Sequence, residues 1–344
     1  MDNTITNRAA DNIRILSAAM VEKAKSGHPG GAMGGADFIN ILYSEFLNYD
    51  PDKLDYPFRD RFFLDPGHMS PMLYSVLALA GIMPAEELQH FRQWGSHTPG
   101  HPEADLAHAI ENTSGPLGQG HAMALGAAIA ERFLVARFGE WMAHKTYVYI
   151  SDGGIQEEVA QGVGRMAGLL GLGNYIMYYD ANNVQLSTTV EEVMNEDIAG
   201  KYRAWGWNVI SIDGHNPDQI REALTAAAGR PNAPPHHRQD RHGERGPRSE
   251  RRKFREQGID PRTASLGCRC RHRRNHQQPR RQSRDPFAIF PQSRKLYEAR
   301  AKELRNWVAW MKEEEAKWRR ESPELAGKLD SFLSGKLPEI DSMR

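Results

Sequence analysis

The chain is poor in the features that mark out whole classes of protein. It has 2 cysteines in 344 residues, Cys268 and Cys270, too close together for an ordinary structural disulfide and too few for a disulfide framework. With His272 and His276 they offer four metal-binding side chains, but their spacing follows no zinc pattern, and no metal is expected there. No run of 18 apolar residues occurs, and "MDNTITNRAADNIRILSAAM" lacks a basic start followed by an unbroken apolar stretch. The expectation is a cytoplasmic chain without a membrane partner. Net charge is lacking too, since 44 Lys+Arg balance 44 Asp+Glu. That balance hides an asymmetry: residues 231–290 carry 16 basic against 6 acidic residues, so this block is +10 and the remainder −10.

What is present is enough apolar material, 40% of the residues, for a substantial core. Ile13, Leu16 and Met20 fall at helical spacing, and Phe38, Ile41, Leu42 and Phe46 mark a second amphipathic helix. The short runs "RFFL" (61–64), "TYVYIS" (146–151), "NYIMYYD" (174–180) and "WNVISID" (206–212) read as buried strands, with a helix over 155–170 between two of them. Alternating strands and helices predict an α/β fold, a parallel sheet covered by helices on both faces, with chemistry at the carboxyl ends of the strands. After residue 231 the periodicity stops for about 55 residues, long for a loop inside a compact domain. It resumes at "DPFAIFP" (285–291), followed by the helical stripe Leu304, Trp307, Val308 and Met311.

The sharpest chemical signal is "SDGGIQEE" (151–158) directly after one strand and "YDANNVQ" (179–185) at the end of the next. Asp152 and Asn182 lie 30 residues apart, the length of one strand–helix–strand unit, so both project from one sheet edge. A carboxylate, an amide oxygen and a backbone carbonyl suit Mg²⁺, and Gly153 and Gly154 let a diphosphate approach the backbone near a helix amino end. An Asp-Gly turn without ligands is the plainer reading of the first motif alone. Three more loops, "SGHPGGAMGGAD" (26–37), "DPGHMSP" (65–71) and "HTPGHPE" (97–103), set His28, His68 and His101 after glycines. Gathered in one cleft, such imidazoles suit phosphate or sugar-hydroxyl contacts and proton transfer near neutral pH. "TSGPLGQGHAMALG" (113–126) reads either as a phosphate-compatible glycine turn or as a tight helix entry.

Together, "SGHPGG", "GHMSP", "TPGHPE", "GPLGQG" and the "SDGG…DANN" pair resemble, in order and spacing, the amino-terminal cofactor-binding part of transketolase. The resemblance covers residues 1–230 and implies a thiamine diphosphate fold that transfers a two-carbon ketol unit between sugar phosphates. It further implies that Asp152, Asn182 and the carbonyl of Val184 hold Mg²⁺ or Ca²⁺, and that Gly153 meets the cofactor diphosphate. His68, Gly115 and Leu117 would line the cofactor, His28 and His101 would meet the sugar phosphate, and Glu157, also on the cofactor side, would face the partner of a homodimer. Ser151 stands where the family more often has glycine. The family's activating glutamate lies on a following domain absent from this chain. The resemblance therefore implies either a truncated product or a separate carboxyl-terminal subunit, and little activity for this chain alone. The organisation expected is a cofactor-binding domain over 1–290 and a helical linker over 291–344.

The same resemblance leads one to expect a strand like "IIGKTVM" and a loop containing "STHG" after residue 230, and neither is present. Yet residues 236–242 reverse-translate, read one nucleotide later, to Ile-Ile-Gly-Lys-Thr-Val-Met, and residues 259–272 in that frame allow "STHGQPLSGAGADI". Residues 231–284 thus read as a frameshifted translation. The competing readings are a disordered insertion or a basic nucleic-acid-binding arm, the latter having charge but no aromatic platform; no nucleic-acid partner is expected. A related thiamine-dependent synthase is the alternative within enzymes.

Overall fold

The computed structural model describes residues 2–185, 188–229 and 285–335. The basic block and the candidate thiols in it lie outside the described residues. So does most of the extended piece that closes the sequence. Three of the four expected strands form, as β1 (Arg61–Leu64), β2 (Thr146–Ser151) and β3 (Tyr175–Asp180). They pair in parallel in the order β1-β2-β3, with Leu64 beside Tyr149 and Ser151 beside Asp180, so all three carboxyl ends reach one edge.

Alternation along each strand divides the core in two. Phe62, Leu64, Tyr147, Tyr149, Ile176 and Tyr178 face one cluster, whereas Phe63, Val148, Ile150, Tyr175, Met177 and Tyr179 face the other. The first face is covered by α1 (Asn3–Ala24), α2 (Pro29–Gly34), α3 (Ala36–Ile41, continued as a π-turn over Leu42–Phe46) and α4 (Ser70–Leu79). The stripe Ile13, Leu16 and Met20 is fully buried on α1, whose first turn is capped by Asp2. The second face is covered by α5 (Gln119–Phe138) and, beyond the short α6 (Asp152–Gln156), by α7 (Glu158–Leu170) and α8 (Ile198–Ala204). The helix expected over 155–170 is broken because Glu157 adopts an extended backbone between α6 and α7.

Residues 206–212 form no full strand among the described residues, which show a single bridge at Asn208. The indole of Trp207 donates to the Gly164 carbonyl and the Trp205 carbonyl abuts Gly168, so this stretch is tied to α7. After α9 (Pro217–Ala228) the described chain resumes at 285, where Asn12 on α1 bonds both Ala288 and Phe290. The helix α10 (Pro291–Glu321) sends Leu296, Tyr297 and Leu304 into the first cluster and Met311 into a third, with Phe58, Phe138 and Leu329 of α11 (Pro323–Leu333). Among the described residues no helix is long and apolar enough to cross a membrane.

The amino ends of β2 and β3 hold a buried polar cluster. Glu131 on α5, 2% exposed, accepts from the His144 backbone N–H at 3.2 Å and the Asn174 amide at 2.6 Å. Burial raises the Glu131 carboxyl from its ordinary 4.5 to about 7.

Two measurements check this packing. A Cβ on Gly168 would lie 1.9 Å from the Trp205 carbonyl oxygen, whereas one on Gly327 in α11 would meet nothing within 4 Å. Gly168→Ala is expected to destabilise the fold by about 1–3 kcal/mol and Gly327→Ala to stabilise it by roughly 0.5–1 kcal/mol, read from denaturant unfolding. The folded chain holds the Glu131 proton more tightly than the unfolded chain. Its contribution is therefore full below pH 4.5 and is lost as pH rises through about 7. Measured against Glu131→Gln, the stability of the unsubstituted chain is expected to fall by about 3 kcal/mol over that window; a pH-independent difference would contradict the assignment.

Candidate active site

Because the sheet is parallel, the turns after β1, β2 and β3 converge. The turn after β2 begins with Asp152, 3% exposed, whose Oδ2 accepts the backbone N–H groups of Asn182 at 3.0 Å and Asn183 at 2.9 Å. Its Oδ1 accepts the hydroxyl of Tyr179. Burial pushes the Asp152 carboxyl up, with the Tyr179 bond acting against it and Asp180 adding to it. Asn182 donates to Asp180 at 3.2 Å, and its amide oxygen accepts the Val184 N–H at 2.9 Å. Asn183 supports this tight turn with a left-handed backbone, φ 60°. Asp152, Asn182 and Val184, predicted to hold a metal, are thus linked through one hydrogen-bonded turn.

The predicted cofactor contacts gather beside it. A Cβ on Gly153 would be pressed against the Leu117 side chain at 3.0 Å, whereas one on Gly115 would meet nothing within 4 Å, so the Gly115 backbone borders open space. Glu157 is exposed, with its Cβ against Gly118.

The three histidines also come together. His28 and His68 meet edge to face, ring centroids 5.2 Å apart, and Gly67 is so close to the His101 ring that a Cβ there would lie 2.9 Å from it. Burial, then the neighbouring His28 and His101, holds the His68 imidazole down near 4, so it is neutral at pH 7. His101 is lowered by burial and by Arg92. His101 borders an open cleft of about 700 Å³ whose rim includes Lys23, Ser26 and Arg92. Arg92 donates to the Ser26 hydroxyl at 2.8 Å.

Sequence reasoning did not assign a role to Asp65. It is fully buried, and its two carboxylate oxygens accept the N–H groups of Gly118 and His121, each at 3.0 Å, at the start of α5. Gly118 has φ 83°, and a Cβ on Gly120 would lie 2.6 Å from Asp65 Cα. A carboxylate immediately after a strand and before Pro-Gly was the available signal. Tyr149 and Tyr179, whose hydroxyls bond Asp180 and Asp152, were hidden as apolar strand residues.

Comparison with known proteins agrees with this geometry. Residues 5–237 match the family model described as transketolase, thiamine diphosphate binding domain. Transketolase 2 of Escherichia coli is 46% identical over 224 residues, and transketolase 1 of Pasteurella multocida 45% over 224; each match spans 63% of this chain and 34% of the relative. The chain therefore spans about a third of the length of these curated relatives. Among solved structures, transketolase from Leishmania mexicana superposes with a TM-score of 0.82 at 27% identity, over 98% of this chain and 50% of that one. Transketolase from Campylobacter jejuni superposes with a TM-score of 0.72 at 31% identity, over 96% and 51%. The chain belongs to the transketolase family and carries its thiamine diphosphate-binding domain.

Proposed function

We propose that this chain is the cofactor-holding part of a transketolase, which moves a two-carbon ketol unit from a ketose phosphate to an aldose phosphate. The observation that carries the reading is the placement of Asp152 and Asn182 at adjacent strand ends, beside the cluster of His28, His68 and His101. The residues fit Mg²⁺ or Ca²⁺ with a diphosphate. The donors are oxygens, the carboxylates of Asp152 and Asp180 are close enough to repel, and Gly115 leaves open backbone alongside while Gly153 lies against Leu117. Asp152, Asn182 and the Val184 carbonyl would hold the metal, and Gly153, Leu117, Gly115 and His68 would line the cofactor. Thiamine diphosphate supplies, when bound, the carbanion that the protein's own side chains cannot provide. A neutral His68 can donate one hydrogen bond and accept another, and His28 and His101 stand where sugar hydroxyls or a phosphate would enter.

Two further features belong to this reading. α5 exposes Met123, Ile129 and Phe133, and the adjoining α7 exposes Val159, Met166, Leu169 and Leu170. Apolar stripes on neighbouring helices suit a second copy of the chain, with Glu157 at their edge. The family match also ends at residue 237, just inside the basic block, in keeping with 231–284 being out-of-frame text.

The test is a chimera in which residues 2–229 replace the matching part of a full-length relative. Ketol transfer from a ketose phosphate is expected, and Asp152→Asn is expected to weaken Mg²⁺–thiamine diphosphate binding by at least the roughly 10- to 100-fold that loss of an outer metal contact costs. A folded chimera that binds the cofactor yet transfers no ketol unit would point to a different thiamine-dependent reaction. For the apolar stripes, sedimentation of the chain is expected to show a dimer that Met166→Glu dissociates; a monomer at all concentrations would remove this surface from the proposal.

A further inference from the structure

The loop that presents His101 is flanked by three metal-capable side chains that the cofactor site does not use. His97 lies on its incoming arm, and Asp105 and His108 on its outgoing arm. Asp105 Oδ2 is 2.7 Å from His108 Nδ1 and 3.5 Å from His97 Nδ1, and one donor atom from each residue lies within 4.8 Å of the others. The two imidazoles lie with ring centroids 4.9 Å apart and planes tilted by 52°. Among the described residues no other group of three or more His, Cys, Asp or Glu side chains is so arranged.

We propose that His97, Asp105 and His108 form a binding site for a divalent transition ion of the Zn²⁺ type, which ties together the two arms of the loop bearing His101. The donor set decides the ion. Two imidazole nitrogens and one carboxylate oxygen suit Zn²⁺, Cu²⁺ or Ni²⁺, whereas the Asp152–Asn182 site offers oxygen alone and suits Mg²⁺ or Ca²⁺. The dimensions are close to what is needed: with metal–donor bonds of about 2.0–2.1 Å, tetrahedral donors stand about 3.4 Å apart. The His97–Asp105 separation is already 3.5 Å, and the His108–Asp105 hydrogen bond has to open by only about 0.7 Å.

The donors are also held in place. Asp105 Oδ1 accepts the Ala107 N–H at 3.1 Å, which aims Oδ2 toward the histidines, and Asp105 and Ile110 exchange two backbone hydrogen bonds of 2.9 Å. On the other arm Thr98, next to His97, is pinned by its hydroxyl to the Glu87 carbonyl at 3.0 Å and accepts the Arg92 N–H at 3.0 Å. The side chain of His97 is 58% exposed, so an ion can enter from solvent and keep water as its fourth ligand. This assignment does not depend on the catalytic reading, since it rests on the loop alone.

Zn²⁺ is titrated calorimetrically into the full chain carrying Cys268→Ser, Cys270→Ser, His236→Asn, His237→Asn, His242→Asn, His272→Asn and His276→Asn, which removes the cysteines and histidines of the basic block as competing donors, with excess Mg²⁺ to occupy the oxygen site. A single Zn²⁺ per chain is expected, and adding His97→Asn or His108→Asn is expected to weaken it by about 100-fold or more, beyond the loss of an outer-shell contact. Unchanged binding in both variants, or no Zn²⁺ uptake by the parent, overturns the proposal and leaves an ordinary hydrogen-bonded cluster. Asp105→Asn keeps an amide oxygen for the Ala107 N–H but gives up the anionic donor; circular dichroism accompanies every titration, and the exposed His97 supplies the variant whose fold is not in question.

Discussion

The buried carboxylate of Asp65 is the constraint on which the site's architecture depends. It follows β1 by one residue and takes N–H groups from Gly118 and His121, so the end of the first strand and the start of α5 are one unit. Its backbone carbonyl also accepts the Ser114 hydroxyl at 2.6 Å, which draws in the loop carrying Gly115 and Leu117. A charge this deep is tolerated because the open amides of a helix amino end are oriented toward it. Desolvation still wins by a margin, raising the Asp65 carboxyl against the pull of three backbone hydrogen bonds. The glycines around it are then required by space: a Cβ on Gly154 would lie 2.5 Å from Asp65 Oδ2, and one on Gly120 closer than van der Waals contact to its backbone.

Parallel pairing separates two polar systems along the same strands. At the carboxyl edge, Asp152 and Asp180 lie close enough to repel, an arrangement that suits a cation. At the amino edge, Glu131 accepts from Asn174 and the His144 backbone within the fold. Both carboxylates are lifted by burial, but Asp152 is held by donors from the next strand's turn, where the chain opens to solvent. A raised carboxyl alone does not distinguish function from structure; its surroundings do.

Much of this was legible in the chain. The strands were readable because burial on both faces demands unbroken apolar runs, and the turn motifs because glycine and histidine cluster only where backbone approaches a ligand or another loop. The position of Asp65 after a strand and before Pro-Gly was readable but its role was not, since its partners are backbone amides 53 and 56 residues away and leave no side-chain pattern. Nor were the hydroxyls of Tyr149 and Tyr179, which count as apolar in any periodicity. The break at Glu157 is a backbone event in an otherwise continuous helical pattern. For residues 206–212, β-prone composition alone could not show that Trp205 and Trp207 are tied to α7.

The three histidines are spread over more than 70 residues, yet each takes its position from the same short turn. His68 lies in that turn, directly before α4. The first residues of α4 then hold the His101 loop, Ser70 donating to the Gly100 carbonyl and Tyr74 to the Pro99 carbonyl, each at 2.8 Å. His28 caps α2, where Gly31 sits so near Met69 that a Cβ would lie 3.0 Å from its sulfur. The imidazoles are therefore spaced by packing around residues 67–74, and Asp65 fixes where that turn leaves the sheet. Such an arrangement makes the histidine cluster and the turns after β2 and β3 parts of one edge, which is what a reaction needing several groups aligned on one substrate demands.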